Sequence, residues 1–439
     1  MPVTALSTDL YQLTMMAAYF QTGRHSCPAT FEMFTRRLPP NRRYLVAAGL
    51  EQALQYLEGL HFTSDEVSWL ERLPAFASVP REFFDYLRRF RFTGDVWAMP
   101  EGSVFFPYEP FLRVTAPLAE AQLVETALLS ILNFQTTIAS KAHRLVQAAA
   151  GRPVLEFGAR RAHGTDAALY AARAAYVAGC ASTSFVEAGR IFGVPISGTM
   201  AHSWILAAAS EHDAFTQYAA LFPHHTALLL DTYDVAAAAE VVVASGLRPL
   251  AVRVDSGDLL SLVRQVRAVL DRGGLTATEI IVSGDLDEWK IRDLVRAAAP
   301  IDAYAVGTAL TTSEDAPALG GVYKMVEVGE PGAVRPVMKL SAGKATWPGA
   351  KQVWRVLEDG TAARDVIALA VEDEMPGAVE LLEPVMRKGS VLSPSVPLAD
   401  IRAQCARTLE RMPAAVTALE GGVYPVDRSD ALEALIVST

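Results

Sequence analysis

Six short apolar runs between Pro153 and Thr308 each end in residues able to do chemistry: PVLEFGARR, VPISGTMAHS, TALLLDTYD, PLAVRVDSGD, EIIVSGD and IDAYAVGT. At their ends stand Arg160 and Arg161, Thr199 and His202, Asp231, Asp255 and Asp258, Ser283, Gly284 and Asp285, and Gly307 and Thr308. Carboxylates accept from a sugar diol or hold Mg2+, and glycine turns ahead of a helix expose backbone N–H groups to phosphate. The set suits a phosphorylated sugar. An aspartate that fixes the tautomer of an imidazole makes histidine a base or nucleophile, and Asp231 ends the strand-like run after His202. A plainer reading stands beside this one, because Ser256, Asp258 and Asp285 each precede a helical run and suit an N-cap. The repeated SGD favours a ligand site, since a cap alone does not require the glycine. His224 and His225 precede their run and read as structural.

Basic residues outside these runs fall in two places. Arg36, Arg37, Arg42 and Arg43 flank a Pro-Pro turn in FTRRLPPNRRY, where guanidinium forks match pyrophosphate oxygens. A solvated loop is the alternative. Lys339, Lys344, Lys351 and Arg355 lie in KLSAGKATWPGAKQVWR. This is not a Walker A motif, because Ala345 follows Lys344 where Ser or Thr is needed, so any use of ATP proceeds without a P-loop.

Such residues need a frame that brings them together. Short apolar runs alternating with helical stretches such as DLLSLVRQVRAVLDRGG imply βαβ units and a parallel sheet, with ligands at the carboxyl ends of the strands. Six units without a dinucleotide fingerprint favour an irregular parallel α/β barrel over an open sheet. The chain on either side differs. TDLYQLTMMAAYFQTG and PREFFDYLRRF read as helices, ATFEMFTRRL as a strand, and EGSVFFPYEPFLRVTAPL as strand–turn–strand. After about Gly320 come strand-like pieces and then a helix around LADIRAQCARTLERMPAAV. The expected division is an α/β barrel over 116–324 and a flanking mixed α+β domain from 1–115 with 325–439.

Composition narrows the class. The 439 residues carry a formal charge of −10, are 51 % hydrophobic and 20 % charged. An acidic balance argues against a nucleic-acid partner, and this hydrophobicity against disorder. No apolar stretch of about 18 residues escapes interruption, so no membrane partner is expected. The first twenty residues lack a basic region ahead of their apolar part and are interrupted by Asp9, which is unlike a signal peptide. Cys27, Cys180 and Cys405 form no pairs and suit a reducing cytoplasm. There is no HExxH, and a protein-held metal is not expected.

Taken in order, STDLYQLTM, FEMFTRRLP, EFGARRAHG, SGTMAHS, DTYDV, RVDSGD, SGDLDE, VGTALTTS and KLSAGK…PGAKQVWR resemble nicotinate phosphoribosyltransferase, a type II phosphoribosyltransferase of NAD salvage. The resemblance runs from about Thr8 to Arg355. It implies that nicotinate and phosphoribosyl pyrophosphate give nicotinate mononucleotide and pyrophosphate, with ATP hydrolysis coupled through a phosphohistidine and Mg2+ carried by the substrate. The histidine falls on His202 and its supporting aspartate on Asp231. Phe157 and Arg160 match the residues that stack on and hold the pyridine ring, with Tyr11 of a neighbouring protomer closing over its other face. Arg253 and Asp255 match residues at ring and ribose. Ser283, Gly284 and Asp285 match the ribose turn, and Gly307 and Thr308 the 5′-phosphate turn. Arg36, Lys339, Lys344 and Lys351 resemble pyrophosphate or ATP contacts, the lysines reaching in from a second copy, so a cytoplasmic homodimer with shared sites is implied.

Relatives that use the amide carry an aspartate where this chain has Ser184. A hydroxyl beside Arg160 suits a carboxylate, which favours nicotinate. Phe185 departs from the family's usual TSN at that point, and three dispersed cysteines do not match the zinc knuckle of some archaeal relatives. Rival readings are a nicotinamide- or quinolinate-using phosphoribosyltransferase, a phosphosugar lyase or isomerase on a barrel, and a non-catalytic metabolite sensor.

Overall fold

The computed structural model describes residues 3–330, 333–341 and 345–439. The chain forms two compact units, a first from residues up to Thr137 together with Ala318–Thr439, and a second from Ile138–Pro317. The division therefore falls at 137 and 318 rather than at the expected 115 and 325. The first unit keeps the helix Leu118–Leu123 and the start of Glu125–Ala148. The reason is packing: Leu118, Leu123, Val124 and Leu128 are buried in one cluster with Phe31, Phe111 and Leu112.

In the first unit, both chain ends contribute to a seven-stranded sheet. Its order is Ala333–Pro336, Gly321–Glu330, Pro28–Thr35, Leu112–Pro117, Asp95–Ala98, Glu383–Arg387 and Ser390–Val391, antiparallel throughout. A four-stranded sheet is centred on Lys351–Glu358 and Thr361–Leu369. Helices Leu10–Gln21, Arg81–Arg89 and Leu398–Glu410 stand where the sequence implies them.

The second unit holds one six-stranded parallel sheet, curled as a half-barrel. Its strands are β1 (Val154–Glu156), β2 (Ser182–Thr183), β3 (Ala227–Leu229), β4 (Ala251–Val254), β5 (Glu279–Val282) and β6 (Ala303–Val306). The order is β2-β1-β6-β5-β4-β3, with every pair parallel. One of the six runs named above is not a strand of this sheet. VPISGT contributes an isolated bridge, Ile196 to Thr183, and its place is taken by Ser182–Thr183. Pro195 has no N–H to give a ladder, and its carbonyl accepts from Thr183 instead.

Strand alternation gives the sheet two unlike faces. Val154, Val252, Val254, Ile280, Val282, Tyr304 and Val306 point under the helices and are fully buried. Leu155, Phe157, Ala181, Ile281, Ala303 and Ala305 form a smaller cluster on the other face. The covering helix Leu259–Arg272 buries Val263, Val266, Val269 and Leu270 at helical spacing, and Asp258 caps it by accepting from Ser261 N. Glu288–Arg296 is capped by Asp287, which accepts from Trp289 N and Lys290 N. The cap reading therefore holds for Asp258, shifts two residues from Asp285, and fails for Ser256. Among the described residues no helix is long and apolar enough to cross a membrane.

Candidate active site

Register places the expected groups of the second unit at one end of the sheet. Leu229 pairs with Arg253, Val254 with Val282, Val306 with Glu156, and Glu156 with Thr183. The residues that follow, Asp231, Asp255, Ser283, Gly307, Phe157 and Ser184, thus leave neighbouring strands in the same direction.

Two hydrogen-bonded groups form there. In the first, His202 opens the helix His202–Ala207 and its Nε2 lies 3.2 Å from Asp231 Oδ1. The imidazole is 43 % exposed while the carboxylate is 4 % exposed, so the base is open and its partner is held. The Ser256 hydroxyl donates to Asp231 Oδ2 at 2.6 Å. In the second, Arg253 donates from Nε to Ser283 Oγ at 2.7 Å, from Nη1 to Thr199 Oγ1 at 2.8 Å, and from Nη2 to Asp255 Oδ1 at 2.6 Å. Ser283 Oγ also donates to Asp255 Oδ1. Burial works to raise the Asp255 carboxyl, but the bonds from Ser283 and Arg253 outweigh it and hold the group below its usual range. Asp255 is therefore ionised at neutral pH. The guanidinium carbon of Arg253 lies 5.8 Å from the centre of the Phe157 ring, which brings Phe157 beside this network.

The turns are shaped by backbone demands. Gly284 has φ +91°, and a Cβ there would collide with the Asp255 carbonyl oxygen. Asp285 follows with φ +46°, in the left-handed region, and its carbonyl accepts from Lys290 Nζ at 2.6 Å. Gly307 precedes the short helix Thr308–Thr311, whose first residue is Thr308. The turns that follow Val306 and Glu156 are neighbours, since Phe157 N donates to Val306 O at 2.8 Å. Ser184 is half-buried, and its N–H donates to Glu156 O at 3.0 Å. Arg160, in the turn Ala159–Arg161, is exposed.

The remaining expected residues belong to the first unit. Tyr11 is 49 % exposed on the helix Leu10–Gln21. Arg36 is half-buried, donating from Nε to Ala345 O at 3.4 Å. Lys339 is exposed, with its backbone paired to Thr346. Lys344 lies outside the described residues. Lys351 does not fit the expected pyrophosphate or ATP contact. Its ammonium bonds Glu32 Oε2 at 2.8 Å, Trp347 O at 2.9 Å and Gly349 O at 2.6 Å, which uses all three N–H groups in a sealed site. Burial lowers its pKa, and no donor is left for pyrophosphate.

Several participants were not legible beforehand. From the sequence, Ser256 suits only a helix cap. Glu156, the last residue of β1, is 1 % exposed and accepts from Gly158 N, Thr183 Oγ1 and Thr311 Oγ1. Burial raises its pKa against those three bonds. An acid closing an apolar run was the one available signal.

Comparison with known proteins fits this geometry. Residues 6–133 match the nicotinate phosphoribosyltransferase N-terminal domain. A nicotinate phosphoribosyltransferase of Mycobacterium tuberculosis is 45 % identical, over 98 % of this chain and 92 % of that one. One from Bacillus subtilis is 43 % identical, over 84 % and 76 % respectively. The crystal structure of human nicotinic acid phosphoribosyltransferase superimposes with a TM-score of 0.85 at 30 % identity, covering 98 % of this chain and 99 % of the other. The fold and site define a phosphoribosyltransferase built on a parallel half-barrel. Within that class, the chain belongs to the nicotinate phosphoribosyltransferase family.

Proposed function

We infer that this chain transfers the phosphoribosyl group of phosphoribosyl pyrophosphate to nicotinate, a step of NAD salvage, releasing nicotinate mononucleotide and pyrophosphate. The observation that carries the reading is the pair of hydrogen-bonded groups side by side at one sheet end, His202–Asp231–Ser256 and Arg253–Asp255–Ser283–Thr199. The pyridine nitrogen attacks the anomeric carbon as the bond to the pyrophosphate oxygen breaks. The state between is oxocarbenium-like, so positioning and charge compensation supply most of what is needed. Phe157 stacks on the ring, and Arg160 with the Ser184 hydroxyl holds its carboxylate. Asp255, kept ionised, accepts from the ribose diol. The turns at Gly284–Asp285 and Gly307–Thr308 receive the ribose and 5′-phosphate.

Ligand atoms of His202, Asp231 and Asp255 lie within 4.8 Å of one another. Hard carboxylate oxygens suit Mg2+, so Asp231 and Asp255 would hold the ion carried by the substrate, which neutralises pyrophosphate charge.

ATP coupling falls to His202. With Nε2–H donated to Asp231, the lone pair lies on Nδ1, which attacks the terminal phosphoryl group of ATP as ADP leaves. Hydrolysis of that N–P bond returns the imidazole. Arg36 contacts the pyrophosphate, Tyr11 and Lys339 act across a homodimer, and activity that persists in a diluted monomer would remove that last part.

The test is to mix the protein with nicotinate, phosphoribosyl pyrophosphate and Mg2+, with and without ATP, and to follow mononucleotide and pyrophosphate. Formation of both is expected, and preference for nicotinamide would overturn the choice of substrate. His202→Ala should lose ATP stimulation and acid-labile phosphorylation while remaining folded; intact stimulation would remove the phosphohistidine.

A further inference from the structure

Glu156 lies on the helix-covered face of the sheet, away from the groups that meet substrate. No cation bonds its carboxylate among the described residues. Its partners come from three separate segments instead: a turn, a strand end and a short helix. Oε1 accepts from Gly158 N at 2.5 Å, in the turn after β1 that carries Phe157 and Arg160. Oε1 also accepts from Thr311 Oγ1 at 3.1 Å, in the short helix that follows Gly307 and starts at Thr308. Oε2 accepts from Thr183 Oγ1 at 2.6 Å, next to Ser184, and the same hydroxyl accepts from Phe185 N at 3.0 Å.

Packing at this junction is close. A Cβ on Gly158 would run into Thr311 Oγ1 and Glu156 Oε1, so only glycine lets the turn approach the carboxylate. The segments tied to Glu156 adjoin groups assigned above to two parts of the substrates, the pyridine ring and its carboxylate on the Gly158 and Thr183 side and the 5′-phosphate on the Thr311 side. The reaction requires the ring nitrogen to sit within reach of the anomeric carbon, so the spacing between those segments is a catalytic quantity.

We propose that Glu156 is a positioning residue that sets the spacing between the nicotinate turn and the 5′-phosphate turn, through Gly158 and Thr183 on one side and Thr311 on the other. The proposal rests on the functional reading above. It makes the two threonines separable. Thr311 serves the phosphate side, Thr183 the nicotinate side, and Glu156 both.

Steady-state kinetics of Glu156→Gln, Thr183→Val and Thr311→Val test it, with Thr183→Ser and Thr311→Ser keeping the hydroxyls. Thr311→Val should raise KM for phosphoribosyl pyrophosphate about 5–10-fold and leave that for nicotinate within about twofold, and Thr183→Val should do the reverse. Glu156→Gln should raise both and lower kcat roughly 10–100-fold. The serine variants should return to within about twofold of the parent. A folded Glu156→Gln with parental kcat and both KM values overturns the proposal. So do valine variants that reduce only the active fraction, as a purely structural role would. If Glu156→Gln does not fold, the valine and serine split decides alone. A parent chain that makes no mononucleotide overturns the functional reading itself, whereas an active parent with indifferent variants overturns only this inference.

Discussion

Arg253 and Lys351 each hold a carboxylate closely, Asp255 at 2.6 Å and Glu32 at 2.8 Å, in very different surroundings. The first pair stands at strand ends of the second unit, with side chains 12 % and 23 % exposed; the second is sealed in the first unit at 3 % and 0 %. Lys351 spends every donor on Glu32 and two carbonyls. Asp255 takes Arg253 and Ser283 on one oxygen, and its Oδ2 carries neither of those bonds. A basic side chain paired with an acid thus gives a ligand-ready group in one place and a structural tie in the other. What separates them is whether the fold leaves an acceptor or donor unspent.

That contrast is sharpest under substitution. Lys351→Met leaves Glu32 buried without its main cation and should cost about 3–5 kcal/mol of stability, read by urea unfolding, with KM values of the folded fraction unchanged. Replacing both Lys351 and Glu32 with apolar residues of similar size should recover most of that loss. A Lys351→Met protein of normal stability with poor affinity for phosphoribosyl pyrophosphate would return Lys351 to the substrate site. Asp255→Asn should do the opposite, lowering kcat/KM roughly 10²–10³-fold while the melting temperature moves by only a few degrees. A large drop in melting temperature with near-normal kcat/KM would make this pair structural too.

Acid distinguishes sealed from open groups next. Burial pushes His143 down to about 4 from its usual 6.5, so the folded chain keeps it neutral where the unfolded chain takes a proton. Stability is then fully present above pH 6.5 and falls as pH drops toward 4, by up to about 3 kcal/mol. His143→Gln should flatten that slope in denaturant melts between pH 7 and 4.5. Asp255 is held below the normal carboxylate range, and its contribution is lost only at still lower pH. The smallest effect concerns Ser256→Ala, which removes one donor from Asp231. ATP stimulation should fall about 3–10-fold, near 1 kcal/mol, and unchanged stimulation would leave Ser256 with no part in holding Asp231.

Much of the second unit was legible because its signals are local. A short apolar run followed by SGD or VGT and then a helix marks a strand end, and five of the six runs are strands of the sheet. VPISGT failed because Pro195 and the flanking glycines break a ladder that hydrophobicity alone suggests. The His202–Asp231 pair was legible from residue order. The roles of Ser256, Thr199 and Glu156 were not, since each depends on which loops meet in space, and the tie from Glu156 to Thr311 needs the first strand of the sheet to lie beside the last. Lys351 misled for a related reason. Its motif reads as basic and exposed, while the partner that neutralises it, Glu32, lies more than 300 residues away.

One inner strand of the seven-stranded sheet has a consequence for how the chain is made. Pro28–Thr35 finds one neighbour early, in Leu112–Pro117, but the other is Gly321–Glu330, about 290 residues further along. At roughly 5–20 residues per second, ribosomal synthesis leaves that edge open for on the order of 15–60 s. In that interval the half-barrel is fully translated while the flanking sheet stays unfinished, a bare backbone edge ready to pair with another nascent chain.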